Sequence, residues 1–283
     1  LYLDNTGILH IVASTIHHEY ANPSYRVRTW YIRSTDGTLT FSSPVALSDC
    51  TTPSDAWPFS WLYPMADIAG TPLTAGGSVM VVVFADSCGS SNTNLKMAKS
   101  TDAGITFSPV QQLPSTSLEE HFPSVAVAPN GRIMIVYSRT EPGVYQQTMA
   151  ISSTDTGTTW LSNQAMSNSA YSSIVHDVVL DGDIFYTAFS QNGAMGLAQM
   201  TATHSGFGRV MQVSHVFQPN LVEHASRLCA RIIINPQQPS DRRPVIVWSE
   251  EVSSGYRYRI HSTAAAFWGV PAINPGTQML LLR

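Results

Sequence analysis

Ser153-Thr154-Asp155-Thr156-Gly157-Thr158-Thr159-Trp160 is a short polar stretch between two runs that alternate apolar and polar residues. Such a segment, holding Asp and Gly, predicts a tight turn joining two antiparallel strands. Asp155 can accept the turn's own N–H groups, Gly157 can take φ > 0, and Thr159 can satisfy a further backbone group. Trp160 opens the outgoing strand, where its ring can fold back over the hairpin base.

The pattern recurs. Ser100-Thr101-Asp102-Ala103-Gly104-Ile105-Thr106-Phe107 keeps every key position, and Ser34-Thr35-Asp36-Gly37-Thr38-Leu39-Thr40-Phe41 loses only the second Gly, to Thr38. Two eroded copies open at Ala202 and Ser262; the first retains Gly206 and the second only its opening Ser-Thr pair. The five copies start at 34, 100, 153, 202 and 262, one per unit of about 50–65 residues.

These motifs resemble the Asp-box (BNR) repeat, S-x-D-x-G-x-T-W/F, of sialidases and related β-propellers. The resemblance implies an all-β fold, a β-propeller of four-stranded antiparallel blades. It places each box between the third and fourth strands, on the face opposite the active site. Asp36, Asp102, Asp155, Gly104, Gly157, Phe41, Phe107 and Trp160 are thereby expected to fasten hairpins rather than to do chemistry. Five blades can be counted, and six are typical of the family, so five or six are expected in one domain spanning 1–283.

The strand pattern agrees. Ile8–Ser14, Tyr25–Arg33 and Pro44–Leu47 follow a short first strand in unit one; unit two begins near Trp57 and continues in Val79–Ala85 and Asn94–Ser100. Unit three alternates over Pro123–Ala128, turns at Pro129-Asn130-Gly131 and returns over Ile133–Ser138. Units four and five repeat this through Val270–Ile273, and Thr277–Arg283 is a spare apolar strand able to close the ring by pairing the termini. Regular short strands with turn signals and no helical period mark a radial repeat.

Charged residues are 12% of the 283, the net charge is −4, and lysine occurs only as Lys96 and Lys99. With no basic cluster, nucleic acid is not an expected partner, and no apolar run is long enough to span a bilayer as a helix. The chain begins at Leu1 and reads as a mature product or a fragment. Of three cysteines, Cys50 and Cys88 fall in adjacent units on the same side and are a candidate disulfide; Cys229 reads as a buried thiol.

Propeller geometry collects scattered residues on the face away from the boxes. Candidate ligand-binding residues there are Glu120, His121, Glu223, His224, Arg227, Arg139, Trp57 and Asp55. Rings stack on sugar faces and carboxylates take hydroxyl hydrogens, so a glycan is a fitting ligand, as is an extracellular protein. Glu120-His121 and Glu223-His224 occupy equivalent places before innermost strands. No cofactor is expected; a metal ion at these pairs is the alternative reading of their chemistry. Sialidases clamp the substrate carboxylate with three arginines, the first in an Arg-Ile-Pro motif. The nearest match, Tyr25-Arg26-Val27-Arg28, lacks the Pro and lies on a third strand, so no catalytic residue is carried over. The expected function is an extracellular or cell-surface propeller that binds without catalysis. The alternatives are a sialidase-like glycoside hydrolase and a structural module of a larger extracellular assembly.

Overall fold

Residues 79–85 of the chain are apolar without a break, which fits a strand buried on both faces. In the computed structural model this run is the second strand of a four-stranded sheet packed between two others. The structure describes residues 1–19, 24–53, 66–88, 92–114, 116–141, 144–167, 171–191, 194–201, 210–212, 230–234, 244–253 and 257–264. They form an all-β propeller of antiparallel blades. Blade one is β1 (Tyr2–Leu3), β2 (Leu9–Glu19), β3 (Ser24–Ser34) and β4 (Val45–Pro53). Blade two is β5 (Ala66–Pro72), β6 (Ser78–Asp86), β7 (Asn94–Ser100) and β8 (Gln111–Gln112). Blade three is β9 (Glu120–Val127), β10 (Ile133–Glu141), β11 (Val144–Ser153) and β12 (Gln164–Ala165). Blade four is β13 (Ser173–Asp181), β14 (Ile184–Gln191), β15 (Ala194–Thr201) and β16 (Val210–Gln212). The described part of blade five is β17 (Ala230–Ile233), β18 (Val245–Ser253) and β19 (Arg257–Ala264). The expected start of unit two near Trp57 lies outside the described residues, as do Gly206, Val270–Ile273 and Thr277–Arg283.

Strand alternation sorts the apolar side chains into seams between blades. On β6, Met80, Val82 and Phe84 pack with Tyr31 of blade one, while Val81, Val83 and Ala85 pack with Val125, Ile135 and Ile151 of blade three. Met134, Val136 and Ala150 face Phe185, Phe189 and Ala198, and Tyr186, Ala188 and Leu197 face Ile232, Ile246 and Trp248.

The Ser-x-Asp turns are built alike. Asp155 Oδ1 accepts the Thr158 N–H at 3.1 Å and the Thr159 N–H at 2.8 Å. Asp102 and Asp36 accept the N–H groups of Thr106 and Thr40, each at 2.9 Å. The threonine hydroxyl donates to the same aspartate carboxylate, not to the backbone. Ser153 and Ser100 donate to their aspartates and accept the glycine N–H of Gly157 and Gly104 at 2.8 and 2.9 Å. These bonds favour the charged carboxylate and hold Asp36 and Asp102 down to about 2 and Asp155 lower still, the threonine hydroxyl being the largest cause in each.

The second and third turns also dock on the blade before them. Arg33, just ahead of the first turn, donates to Ala103 O of the second at 3.1 Å; Lys99, just ahead of the second, donates to Thr156 O of the third at 2.9 Å. Phe107 meets Tyr31 of blade one edge-on, with centroids 4.7 Å apart, and Trp160 packs on the seam of blades two and three. The aromatic residues therefore cover a seam, where the sequence suggested the base of their own hairpin. A Cβ on Gly104 would lie 1.8 Å from Tyr31 Oη, and one on Gly157 would lie 2.9 Å from Met97 Cε. The first turn differs: Thr38 holds φ 78°, is exposed, and its neighbour Phe41 is 46% exposed.

These contacts rank three substitutions in thermal or urea unfolding. Gly104→Ala is expected to destabilise by about 3 kcal/mol, because the new methyl meets a fixed tyrosine at a φ that disfavours it. Gly157→Ala is expected to cost about 1–2 kcal/mol, since the Met97 terminus can move aside. Thr38→Gly should be neutral or gain up to about 1 kcal/mol, by release of positive-φ strain. Equal losses at Gly104 and Gly157 would contradict the docking described.

Candidate functional site

The register of blade three separates its two ends. At one end Ile133 pairs with Val127 and Ser153; at the other Arg139 pairs with Glu120 and Gln147. The six residue steps from Ile133 to Arg139 correspond to roughly 20 Å of strand. Asp155 and its turn thus lie at the end opposite Glu120 and His121.

The Glu120 side chain is 1% exposed and turned into the seam with blade two. Its N–H donates to Thr93 O at 2.9 Å and its Oε2 accepts the Leu95 N–H at 3.3 Å. Oε1 is sealed from solvent with no hydrogen-bond partner among the described residues. Burial pushes this carboxyl up to about 7, against the opposing pull of the Leu95 and Thr116 N–H groups and the Arg139 charge. A register shift between Val136 and Ser138 then bulges β9 at Phe122, which sits at φ 54°. A bulky residue there costs about 1–3 kcal/mol, and burial of Phe122 against blade four offsets it.

On either side of Glu120 are more open groups. Glu119 Oε2 lies 3.3 Å from His121 Nε2, and this bond holds the Glu119 carboxyl below its usual range. Arg139 is half-buried at the end of β10. At the same end of blade two, Asp86 is fully buried and pairs with Lys96 Nζ at 2.6 Å. Lys96 also donates to Cys88 O at 2.8 Å, and the Cys88 N–H donates to Asp86 Oδ1 at 3.0 Å. Cys88 is disulfide-bonded.

The innermost strands hold groups that no motif announced. Asp67 on β5 accepts Ser124 Oγ at 2.8 Å and the Val125 N–H at 3.0 Å; Ser124 accepts the Val178 N–H at 3.2 Å; Asp177 on β13 accepts the Ile232 N–H at 2.8 Å. The innermost strands of blades two, three and four thus each offer a polar side chain to the backbone of the next blade's innermost strand. Burial, with Asp67's charge adding, pushes Asp177 up to about 6. Aligning the units would have exposed this series as a recurring short polar residue on the inner strands of units two to four.

Of the residues expected at this end, the structure therefore joins Glu120, His121 and Arg139. Asp55, Trp57, Glu223, His224 and Arg227 lie outside the described residues, as does the side chain of Cys50. Among the described residues no group of three or more His, Cys, Asp or Glu is arranged to hold a metal ion, and no helix is long and apolar enough to cross a membrane.

The sequence matches no family model and no curated protein. Solved structures do resemble it. A leech intramolecular trans-sialidase aligns at 10% identity and a TM-score of 0.60, over 96% of this chain and 58% of that one. The NanB sialidase of Streptococcus pneumoniae aligns at 12% identity and 0.56, over 94% and 58%. The α-L-arabinanase of Penicillium chrysogenum aligns at 15% identity and 0.53, over 91% and 72%. The likeness is one of fold, and the chain spans 58% of the length of those sialidase chains.

The Glu120 carboxyl makes stability depend on pH. Its folded value, about 7, lies above the ordinary 4.5, so the fold favours the protonated form. This favourable contribution is complete below pH 4.5 and is lost as pH rises from 4.5 through 7. Glu120→Gln keeps the shape without the charge. The variant should match the parent at pH 4 and exceed it by about 1–3 kcal/mol at pH 8 in urea titrations. A difference that does not vary with pH would contradict the burial of this carboxyl.

Proposed function

We propose that the protein is an extracellular Asp-box propeller that binds a glycan or another protein, without catalysis, at the end away from its Ser-x-Asp turns. The observation that carries this reading is the use made of Glu120. The acid best placed by sequence is spent inside the protein, bonding the preceding blade's backbone. What remains open beside it, Glu119, His121 and half-buried Arg139, is a set of donors and acceptors suited to hydroxyls, amides and carboxylates. The repeated bonding of Asp36, Asp102 and Asp155 supports the Asp-box reading. A disulfide-bonded Cys88 supports an oxidising, extracellular location.

A second reading, a sialidase-like glycoside hydrolase, draws on the sialidases and arabinanase of similar fold and on a carboxyl near 7 that could donate a proton. Glycan-array binding and a panel of chromogenic sialosides and arabinosides separate the two. The binding reading expects no turnover, and binding weakened about tenfold or more in His121→Ala/Arg139→Ala at unchanged melting temperature. Turnover abolished by Glu120→Gln would replace it with the hydrolase.

A further inference from the structure

Cys88 shares a disulfide, and the sequence leaves Cys50 and Cys229 as its possible partners within the chain. We infer that the partner is Cys50, and that the bond ties the outer strand of blade one to the loop of blade two at the end where Glu120 lies.

Register fixes the level. Cys50 on β4 pairs with Val27, and Val27 pairs with Ile16 near the end of β2. Cys88 follows Asp86, the last residue of β6. In these antiparallel blades the end of the second strand is the end opposite the Ser-x-Asp turns, so both cysteines share a level. Alternation fixes the side. Met80, Val82 and Phe84 face blade one, Asp86 continues their row, and Asn94 lies directly across from it on β7. Lys96, in the same row as Asn94, bonds both Asp86 Oδ1 and Cys88 O, and the Cys88 N–H bonds Asp86. The ion pair thus pins Cys88 on the flank that faces blade one.

Cys229 lies outside the described residues. The residue that follows it in sequence, Ala230, opens β17, an innermost strand that packs on blade four. Blades three and four stand between blade five and blade two in the described series of seams.

The bond also accounts for an irregularity among the outer strands. β8 and β12 have two residues and β16 has three, whereas β4 has nine and reaches the far end of its blade. A covalent anchor at Cys50 gives that extension something to hold. It fixes the point from which the chain leaves toward Asp55 and Trp57. In forming, the two thiols lose two electrons and two protons, and a small-molecule or protein disulfide is reduced to two thiols.

Peptide mapping of purified protein, unfolded in alkylating reagent without reductant, tests the pairing. The expected result is a Cys50–Cys88 linked peptide with Cys229 alkylated. A Cys88–Cys229 peptide, a link between chains, or alkylation at all three positions would overturn it. Cys50→Ser and Cys88→Ser should each lower the melting temperature by about 10 °C, and the double variant should fall no further. Cys229→Ser should show no such loss, and a loss as large as that of Cys88→Ser would count against the assignment.

Discussion

A missing methyl group governs the contact between these blades. At Gly104 the backbone turns left-handed, and the space a Cβ would fill is taken by the Tyr31 hydroxyl of the preceding blade. The turn can present that flat surface only because Ser100 and Asp102 already hold its N–H groups. The cation before one turn then bonds the carbonyl beside the next turn's glycine, from Arg33 to Ala103 and from Lys99 to Thr156. One motif therefore closes a hairpin and aligns a seam. The first turn shows the converse. With Thr38 in place of Gly its aromatic Phe41 stays half-open, and Leu39 beside it is 83% exposed.

Since both faces of an inner blade are apolar, polar groups are left to the strand ends and the axis. At the axis Asp67, Ser124 and Asp177 bond the backbones of other innermost strands. At the end opposite the turns, Asp86 with Lys96 and Glu120 with Leu95 anchor loops. Scaffold and candidate site thus draw on the same carboxylates. A buried acid serves the fold first, and under the proposed function recognition would fall to its more open neighbours Glu119 and His121.

The fold was legible because the turn motif is local: its Ser, Asp, Gly and Thr bond within five residues, so their spacing survives in the sequence. The continuous apolar run at Val79–Ala85 announced burial on both faces. The site was less legible because burial is not local. Glu120 reads as a surface acid beside His121, and nothing in its neighbours shows that the N–H of Leu95, 25 residues away, donates to its carboxylate. The direction of the aromatic residues was also hidden. Phe107 turns to Tyr31 of another blade, a contact that depends on how the sheets stack rather than on the hairpin itself.

Native-state hydrogen exchange in a Tyr31→Ala/Arg33→Met variant tests the central claim, that the second and third turns are each held by the blade before them. The Gly104 and Thr106 amides should exchange much faster than in the parent, while those of Gly157 and Thr159, docked on blade two, keep their protection. Unchanged protection at Gly104 and Thr106, or an equal loss at both turns, would contradict it.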